Sequence, residues 1–275
     1  MTMVAAIQMA SGPNVQANLD QAEKLIAEAV SQSAGLVVLP ENFSFMGKSD
    51  HERLAVAEDD GDGVVQTFLA DQAKKHSVWL VGGTVPIKSG QANKIYASCI
   101  LFNDQGERVA RYDKIHLFDV HLEEADESYT ESETTTPGDE VVVVDTPFGR
   151  LGLAICYDLR FPELFRTMMN MNMEICAIPS SFTANTGKAH WEVLVRARAI
   201  ENLCYIIAAG QGGYHVSGRE THGNSAVVNP WGQVLNHMGK GAGVVSSKID
   251  IQGLHATREH FPVLKHRRLA CQISK

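Results

Sequence analysis

The stretch Gly152-Leu-Ala-Ile-Cys-Tyr-Asp-Leu-Arg-Phe-Pro-Glu-Leu164 joins an apolar, strand-like run to a predicted helix through a short polar turn. Pro162 suits the first turn of that helix, where a missing N–H costs little. Cys156 ends the strand beside the unpaired N–H groups of the helix start, and such groups favour the nucleophilic thiolate. Because most intracellular cysteines are structural, the interpretation of Cys156 as a nucleophile depends on finding partners for it.

Two more reactive side chains follow strand-like runs upstream. Glu41 closes the run Leu36-Val-Val-Leu-Pro-Glu-Asn42, and Lys114 lies within Arg111-Tyr-Asp-Lys-Ile-His-Leu117. Open α/β sheets gather their sites at the carboxyl ends of strands, so an acid, an amine and a thiol at such ends can converge. We therefore expect Cys156 to attack a carbonyl, Glu41 to carry protons and Lys114 to stabilise the oxyanion.

These motifs resemble those of the carbon–nitrogen hydrolase (nitrilase) superfamily over nearly the whole chain. The resemblance rests on Leu39-Pro-Glu-Asn42, Asp113-Lys-Ile-His-Leu-Phe-Asp119, Ile155-Cys-Tyr-Asp-Leu-Arg-Phe-Pro-Glu163, His190-Trp-Glu192, Arg196-Ala-Arg-Ala-Ile-Glu-Asn202, His222-Gly-Asn-Ser225 and Asn229-Pro-Trp-Gly232. The stretches Thr186–Glu201 and Phe261–Arg268 are similar to the amidase branch that contains deaminated glutathione amidase and omega-amidase. The resemblance implies an α/β fold, an α-β-β-α sandwich of two sheets between helix layers, built as a single domain over residues 1–275.

The resemblance also implies an activity: hydrolysis of the amide C–N bond of a small oxo-acid amide through a cysteine thioester, without a cofactor. Deaminated glutathione is the first expected substrate and 2-oxoglutaramate the alternative, followed by nitrile hydrolysis and by a thiol redox function. The family's second glutamate matches Glu131, which would orient Lys114, although Glu127 and Glu133 lie nearby. The backbone N–H of Tyr157 would be the second oxyanion donor.

Several side chains are candidates for binding a substrate carboxylate. Arg160 follows the nucleophile by four residues and offers planar, bidentate geometry, although it could instead pair with Asp158 or Glu163. Thr186 and His190 belong to the narrower match and are further candidates for contact with the substrate. His116 resembles the imidazole of a Cys–His dyad, but its position two residues after the lysine favours a packing or hydrogen-bonding role.

Composition limits the classes of partner. The formal net charge of −8 comes from 24 basic and 32 acidic residues among 275, a length sufficient for one well-buried core. Glu58-Asp-Asp-Gly-Asp62 and Glu123-Glu-Ala-Asp-Glu127 are typical of solvated loops, and no basic footprint for nucleic acid is visible. An anionic small-molecule substrate on an acidic protein needs local cations, so Lys188 and Arg219 are also of interest.

The cysteines favour a reducing compartment and no metal. They are odd in number, show no Cys-x-x-Cys spacing, and lie at positions 99, 156, 176, 204 and 271. This pattern argues against a disulfide framework and a structural zinc site. The N-terminal run Met3-Val-Ala-Ala-Ile-Gln-Met9 lacks the features of a secretory signal, and no apolar run approaches the ~20 residues that span a bilayer. We therefore expect a cytoplasmic location and no membrane contact.

Hydrophobic periodicity predicts alternating strands and helices. The segment 63–76 is predicted as a helix that buries Val64, Phe68 and Ala73, and 78–86 as one strand. The polar segment 121–139 lacks periodicity and is predicted as a long loop that carries Glu131.

The resemblance also implies a homo-oligomer, a dimer or a larger even-numbered assembly. Helices at 162–171 and 186–202 are the expected contact surface, and the C-terminal tail, about 250–275, is expected at the interface.

Overall fold

A computed structural model describes residues 1–122 and 127–269 of the chain. The strands within these ranges are β1 (Thr2–Gln8), β2 (Leu36–Val38), β3 (Trp79–Val81), β4 (Val85–Lys88), β5 (Ile95–Phe102), β6 (Arg108–Asp113), β7 (Asp119–Leu122), β8 (Glu127–Thr130), β9 (Val143–Thr146), β10 (Gly149–Leu153), β11 (Ile175–Ser180), β12 (Tyr205–Gly210), β13 (Ala226–Val228), β14 (Val234–His237) and β15 (Gly243–Ile249). The α-helices there are α1 (Val15–Ser31), α2 (Val64–His76), α3 (Pro162–Asn170), α4 (Ala184–Asn202) and α5 (Ile251–His260).

Local sequence signals explain where the helices begin. Asn14 caps α1, because its side-chain oxygen accepts a hydrogen bond from the backbone N–H of Ala17 at 3.0 Å. Thr183 caps α4 and Asp250 caps α5 in the same way, so each satisfies an N–H that the helix itself leaves unpaired. Pro162 occupies the first position of α3, as predicted.

Two large sheets and one two-stranded sheet are present in the described part of the chain. The first has the order β15-β1-β2-β3-β5-β4, with β6 also paired to β5, and the second has the order β14-β13-β12-β11-β10-β9. Strands β1, β2 and β3 run parallel in the first sheet, as do β10, β11 and β12 in the second. Strands β7 and β8 form a separate antiparallel hairpin. The parallel strands point their carboxyl ends toward a common edge of each sheet.

The two sheets pack face to face and form the inner core, in which Val38 of the first sheet joins Leu153 and Ile178 of the second. On the other face of the first sheet, Ala5 and Ile7 pack in a second apolar cluster.

Helices cover the outer sides of the sandwich. The second cluster contains Leu19 and Ile26 of α1 and Leu69 of α2, and Phe165 of α3 and Trp191 of α4 belong to the core of the second sheet. Since both faces of the strands are covered, the parallel strands are mostly apolar. The predicted α-β-β-α sandwich is confirmed.

The prediction for residues 63–86 was wrong in two details. Val64 is 66% exposed, because the side of α2 that faces the sheet runs through Val65, Leu69 and Ala73. The predicted single strand is two strands, β3 and β4, separated by Gly82 and Gly83. Gly83 has φ +56°, and a Cβ there would lie 2.2 Å from the carbonyl oxygen of Pro40. This close approach bends the chain beside the end of β2.

The polar segment predicted as a loop contains ordered structure. Strands β7 and β8 pair across it, and a 3₁₀ turn spans Glu131–Glu133, whereas residues 123–126 lie outside the described residues. The C-terminal region contains α5, which the sequence analysis did not predict and which buries Leu254; residues 270–275 of the predicted tail lie outside the described residues. No helix within 1–122 or 127–269 has the length and hydrophobicity needed to cross a bilayer.

Candidate active site

Three strand ends bring the predicted reactive residues together. Glu41 follows β2, Lys114 follows β6 and Cys156 follows β10, and all three side chains are buried. The Nζ atom of Lys114 lies 2.8 Å from Oε1 of Glu41, and the Glu41 carboxylate interacts with the Cys156 thiol. The three residues line one cavity. The expected convergence of acid, amine and thiol is therefore present in the structure.

A second carboxylate holds the amine from the other side. Glu131 lies 2.8 and 3.0 Å from Nζ of Lys114, and its Oε2 accepts a hydrogen bond from the backbone N–H of Phe118 at 2.7 Å. The neighbouring acids point elsewhere: Glu127 accepts a hydrogen bond from the Tyr129 hydroxyl at 3.1 Å, and Glu133 lies 3.7 Å from His51. Of the three acids considered from the sequence, Glu131 is the one that contacts the lysine.

Burial and charge set the protonation of the cluster. Burial opposes ionisation of Glu41, but the charge and hydrogen bond of Lys114 outweigh it and hold the pKa of this carboxyl below its usual value. Burial and then the Glu41 charge raise the pKa of the Cys156 thiol well above its usual value. For Lys114, attraction to Glu131 and Glu41 overcomes burial and raises the pKa. The resting site is thus a neutral thiol beside a carboxylate and an ammonium.

This charge state corrects one expectation from the sequence. The helix start was expected to favour the Cys156 thiolate, but burial beside an anion favours the thiol instead. Burial alone would raise the pKa of Glu41, but the contact with Lys114 lowers it. In this state Glu41 can accept a proton and Cys156 can donate one.

Cys156 lies on a tight turn that a buried aspartate holds in place. Cys156 has φ +48°, a left-handed conformation that a residue with a side chain rarely adopts. Asp158, fully buried, accepts hydrogen bonds from the Ile155 N–H at 2.8 Å and from the Tyr112 hydroxyl at 2.7 Å. Its other oxygen lies 2.7 Å from Nδ1 of His116 and also accepts the N–H of that residue. These contacts stabilise the strained turn.

This role of Asp158 was not predicted from the sequence, in which Asp158 was considered only as a partner for Arg160. Within the described residues, Arg160 forms an ion pair with neither Asp158 nor Glu163; its guanidinium instead lies 3.3 Å from Nδ1 of His190. The expectation that His116 packs and forms hydrogen bonds agrees with the structure, since its ring also stacks on Phe161 with centroids 3.7 Å apart.

We predict that Asp158→Ala lowers the free energy of unfolding by at least about 3 kcal/mol, because several buried donors lose their acceptor at once. Turnover should fall with it, because the turn that carries Cys156 loses its anchor. Denaturant unfolding and kcat measured on the folded fraction test this. Tyr112→Phe removes a single donor and is the matched control. Equal stability of Asp158→Ala and the parent would contradict the assigned role.

The cavity in front of Cys156 encloses about 480 Å³, including its open mouth. Arg160 and Thr186 line it, whereas His190 does not and is exposed on α4, where it contacts Arg160. Lys188 is also exposed and lies outside this cavity. Of the predicted binding residues, Arg160 and Thr186 therefore lie in the cavity beside Cys156. His190 lies outside it and contacts Arg160.

Further residues at the cavity carry no signal in the local sequence. Arg53 lines the cavity, and Gln211 donates a hydrogen bond at 3.0 Å to the backbone oxygen of Glu41. The backbone N–H of Ser181 lies 3.4 Å from Sγ of Cys156. Each comes from a segment distant along the chain, so only the packing of the two sheets reveals it. In the part of the chain that the structure describes, no group of acids, histidines or cysteines is arranged to hold a metal ion.

Comparison with known proteins agrees with this geometry. The family model described as carbon-nitrogen hydrolase matches residues 3–259. A deaminated glutathione amidase of Yersinia enterocolitica is 41% identical over 98% of this chain and 94% of its own, and one of Synechocystis sp. is 42% identical over 96% and 97%. The crystal structure of Saccharomyces cerevisiae Nit3, a member of branch 10 of the nitrilase superfamily, matches with TM-score 0.87 and 32% identity over 98% of this chain and 97% of its own.

Proposed function

This chain belongs to the carbon–nitrogen hydrolase family, and we propose that it is an amidase whose substrate is deaminated glutathione, an oxo-acid amide. The observation that carries the proposal is the contact of Lys114 with both Glu41 and Glu131 beside the Cys156 thiol. Such a cluster supplies a nucleophile, a base and a charge for the oxyanion in one buried place.

Acylation begins with the thiol in its protonated form. Because the pKa of Cys156 is raised and that of Glu41 is lowered, the proton passes to Glu41 as Sγ attacks the amide carbonyl carbon, not beforehand. The carbonyl π electrons move onto oxygen, and the ammonium of Lys114 and the N–H of Tyr157 stabilise that charge. Tyr157 lies in the first turn of the Cys156–Arg160 3₁₀ helix, where N–H groups have no partner within the helix.

Collapse of the tetrahedral intermediate breaks the C–N bond. Glu41 returns its proton to the leaving nitrogen, the amine departs, and a thioester remains on Cys156. Glu41 then takes a proton from water as the water oxygen attacks the thioester. The second collapse releases the carboxylic acid and restores the thiol. No cofactor enters this sequence of steps.

The oxo-acid part of the substrate carries a carboxylate near the scissile amide, and we assign its recognition to Arg160. The Arg160 guanidinium lines the cavity and lies over the rings of Tyr157 and Phe182, at 5.7 and 5.5 Å from their centroids. These aromatic contacts hold the guanidinium plane, so that two N–H groups can face a carboxylate. Thr186 adds a hydroxyl on the same wall, and His190 supports Arg160 from outside.

The test is a side-by-side measurement of kcat/KM for deaminated glutathione and 2-oxoglutaramate, scored by release of the free oxo-acid. We expect deaminated glutathione to be preferred. A preference for 2-oxoglutaramate would make the enzyme an omega-amidase. Hydrolysis of aliphatic nitriles with no hydrolysis of amides would overturn the amidase proposal, and peroxide-induced pairing of Cys156 with another thiol would favour a redox role.

We also propose that the chain assembles as a homodimer or a larger even-numbered oligomer. Exposed apolar side chains support this proposal: Val193 (68% exposed) and Ile200 lie on α4, and the ring of Trp231 meets that of Phe261 edge to face near the end of α5. Sedimentation at micromolar concentration should show a species of at least twice the 30.0 kDa chain mass. The substitution Val193→Glu should weaken the association between the chains. A single species of chain mass would contradict the proposal.

A reducing, cytoplasmic location remains a proposal. It is supported by Cys99, Cys156, Cys176 and Cys204, which are free thiols in the structure.

A further inference from the structure

Two cations at the cavity have no carboxylate partner within the described part of the chain. Arg160 and Arg219 both line the cavity, and no acid among the described residues lies within ion-pair distance of either. By contrast, Arg53 on the same wall is neutralised by Asp50 at 3.0 Å. Both arginines contact one segment of the chain: Arg219 donates a hydrogen bond to the backbone oxygen of Ser181, and Arg160 lies over the ring of Phe182. Two unneutralised like charges at one site indicate a ligand with two negative charges.

The guanidinium of Arg219 is positioned for a ligand. It lies over the ring of Tyr129, 5.1 Å from the centroid, which holds its plane. Its Nε–H is buried and, among residues 1–122 and 127–269, finds no hydrogen-bond partner. Glu127 of the hairpin is engaged by the Tyr129 hydroxyl at 3.1 Å and by the Asn185 amide at 3.3 Å. Arg219 thus retains donor capacity that the described residues do not use.

Arg219 also marks the boundary between two spaces. The inner cavity opens into an outer groove of about 1330 Å³, and the residues common to both walls are Asn42, Asp50, Arg53, Tyr129 and Arg219. The inner cavity holds the nucleophile, so the acyl part of the substrate belongs there. The adjoining groove is the space for the amine portion of the substrate, which is attached through the amide nitrogen. A primary amide, which releases ammonia, would leave it empty.

We infer that Arg219 binds a carboxylate on the amine side of the scissile amide, and that the groove accepts a secondary amide with an anionic, peptide-like amine portion. This inference rests on the proposed amidase function and names the determinant of its substrate choice. Deaminated glutathione carries two carboxylates, one on its oxo-acid portion and one at its glycine end, which match Arg160 and Arg219. 2-Oxoglutaramate carries one carboxylate and would use Arg160 alone.

The experiment compares deaminated glutathione with its C-terminal carboxamide, which replaces the glycine carboxylate by a neutral group of the same shape. For the parent enzyme we expect the acid to exceed the amide in kcat/KM by about 10- to 100-fold, the size of a lost charge-assisted hydrogen bond. In Arg219→Gln this ratio should fall to near one, because kcat/KM should decrease for deaminated glutathione and stay unchanged for its carboxamide. Arg219→Lys, which keeps the charge, should retain part of the preference.

Lys188→Gln is the matched control, because Lys188 is an exposed cation outside both the inner cavity and the outer groove. The ratio of kcat/KM for the acid to that for the amide should be the same in this variant as in the parent. Thermal unfolding of each variant measures any loss of stability caused by losing the hydrogen bond from Arg219 to the backbone oxygen of Ser181. An acid-to-amide ratio unchanged in Arg219→Gln, or an equal loss on both substrates, would overturn the inference and leave the amidase function intact. Failure of the parent enzyme to hydrolyse either compound would overturn both.

Discussion

Cys156→Ala is expected to lower kcat/KM by at least about 10,000-fold, since no covalent intermediate can form without the sulfur. The side chain lost is small, and the turn around it is held by Asp158, so the variant should remain folded. Intact-mass measurement after rapid quenching should show an acyl adduct on the parent enzyme and none on the variant.

The matched control for this substitution is Cys204→Ala. Cys204 is another fully buried thiol, packed at the end of α4 and away from the cavity. Its removal should leave turnover within about threefold of the parent, because the loss is one of packing alone. Residual activity of Cys156→Ala within tenfold of the parent would refute the nucleophile assignment, whatever the result for Cys204.

Glu41→Gln is expected to reduce kcat by about 100- to 10,000-fold, the usual contribution of a positioned proton carrier. The amide keeps the shape of the side chain, and Lys114 keeps its second contact with Glu131, so the fold should persist. Glu133→Gln, which removes an exposed acid nearby, is the control. Retained hydrolysis by Glu41→Gln would transfer the proton-carrying role to another residue.

The pH profile gives an independent measurement of the same role. The pKa of Glu41 lies below the ordinary value of 4.5, so Glu41 stays ionised, and able to accept a proton, to a lower pH than a typical glutamate. The acid limb of kcat/KM should therefore lie below pH 4.5 in the folded enzyme. An acid limb near neutral pH would mean that a different group accepts the thiol proton.

Local signals in the sequence predicted alternating strands and helices and the reactive residues at strand ends, whereas the layered sandwich was implied by the resemblance to the carbon–nitrogen hydrolase family. The runs before Glu41 and Cys156 form the parallel strands β2 and β10, the run before Lys114 forms β6 beside β5, and the reactive residues after these runs form the predicted cluster. The segment 78–86 is a place where local signals gave a wrong prediction. Its hydrophobicity is that of one strand, but the approach of Gly83 to the Pro40 carbonyl divides it, and that approach depends on a residue 43 positions away.

The chain by itself determined which reactive groups are present, and the order of strands and turns that delivers them, because these depend on neighbours in sequence. Only the tertiary structure decided how the groups are charged and what surrounds them. The thiol of Cys156 is neutral because the folded chain buries it beside Glu41, and Asp158 holds its turn through Tyr112, 46 residues away. Arg219 reaches the cavity by the same long-range packing. Charge and solvation act through space, so they are defined only once distant segments are in contact.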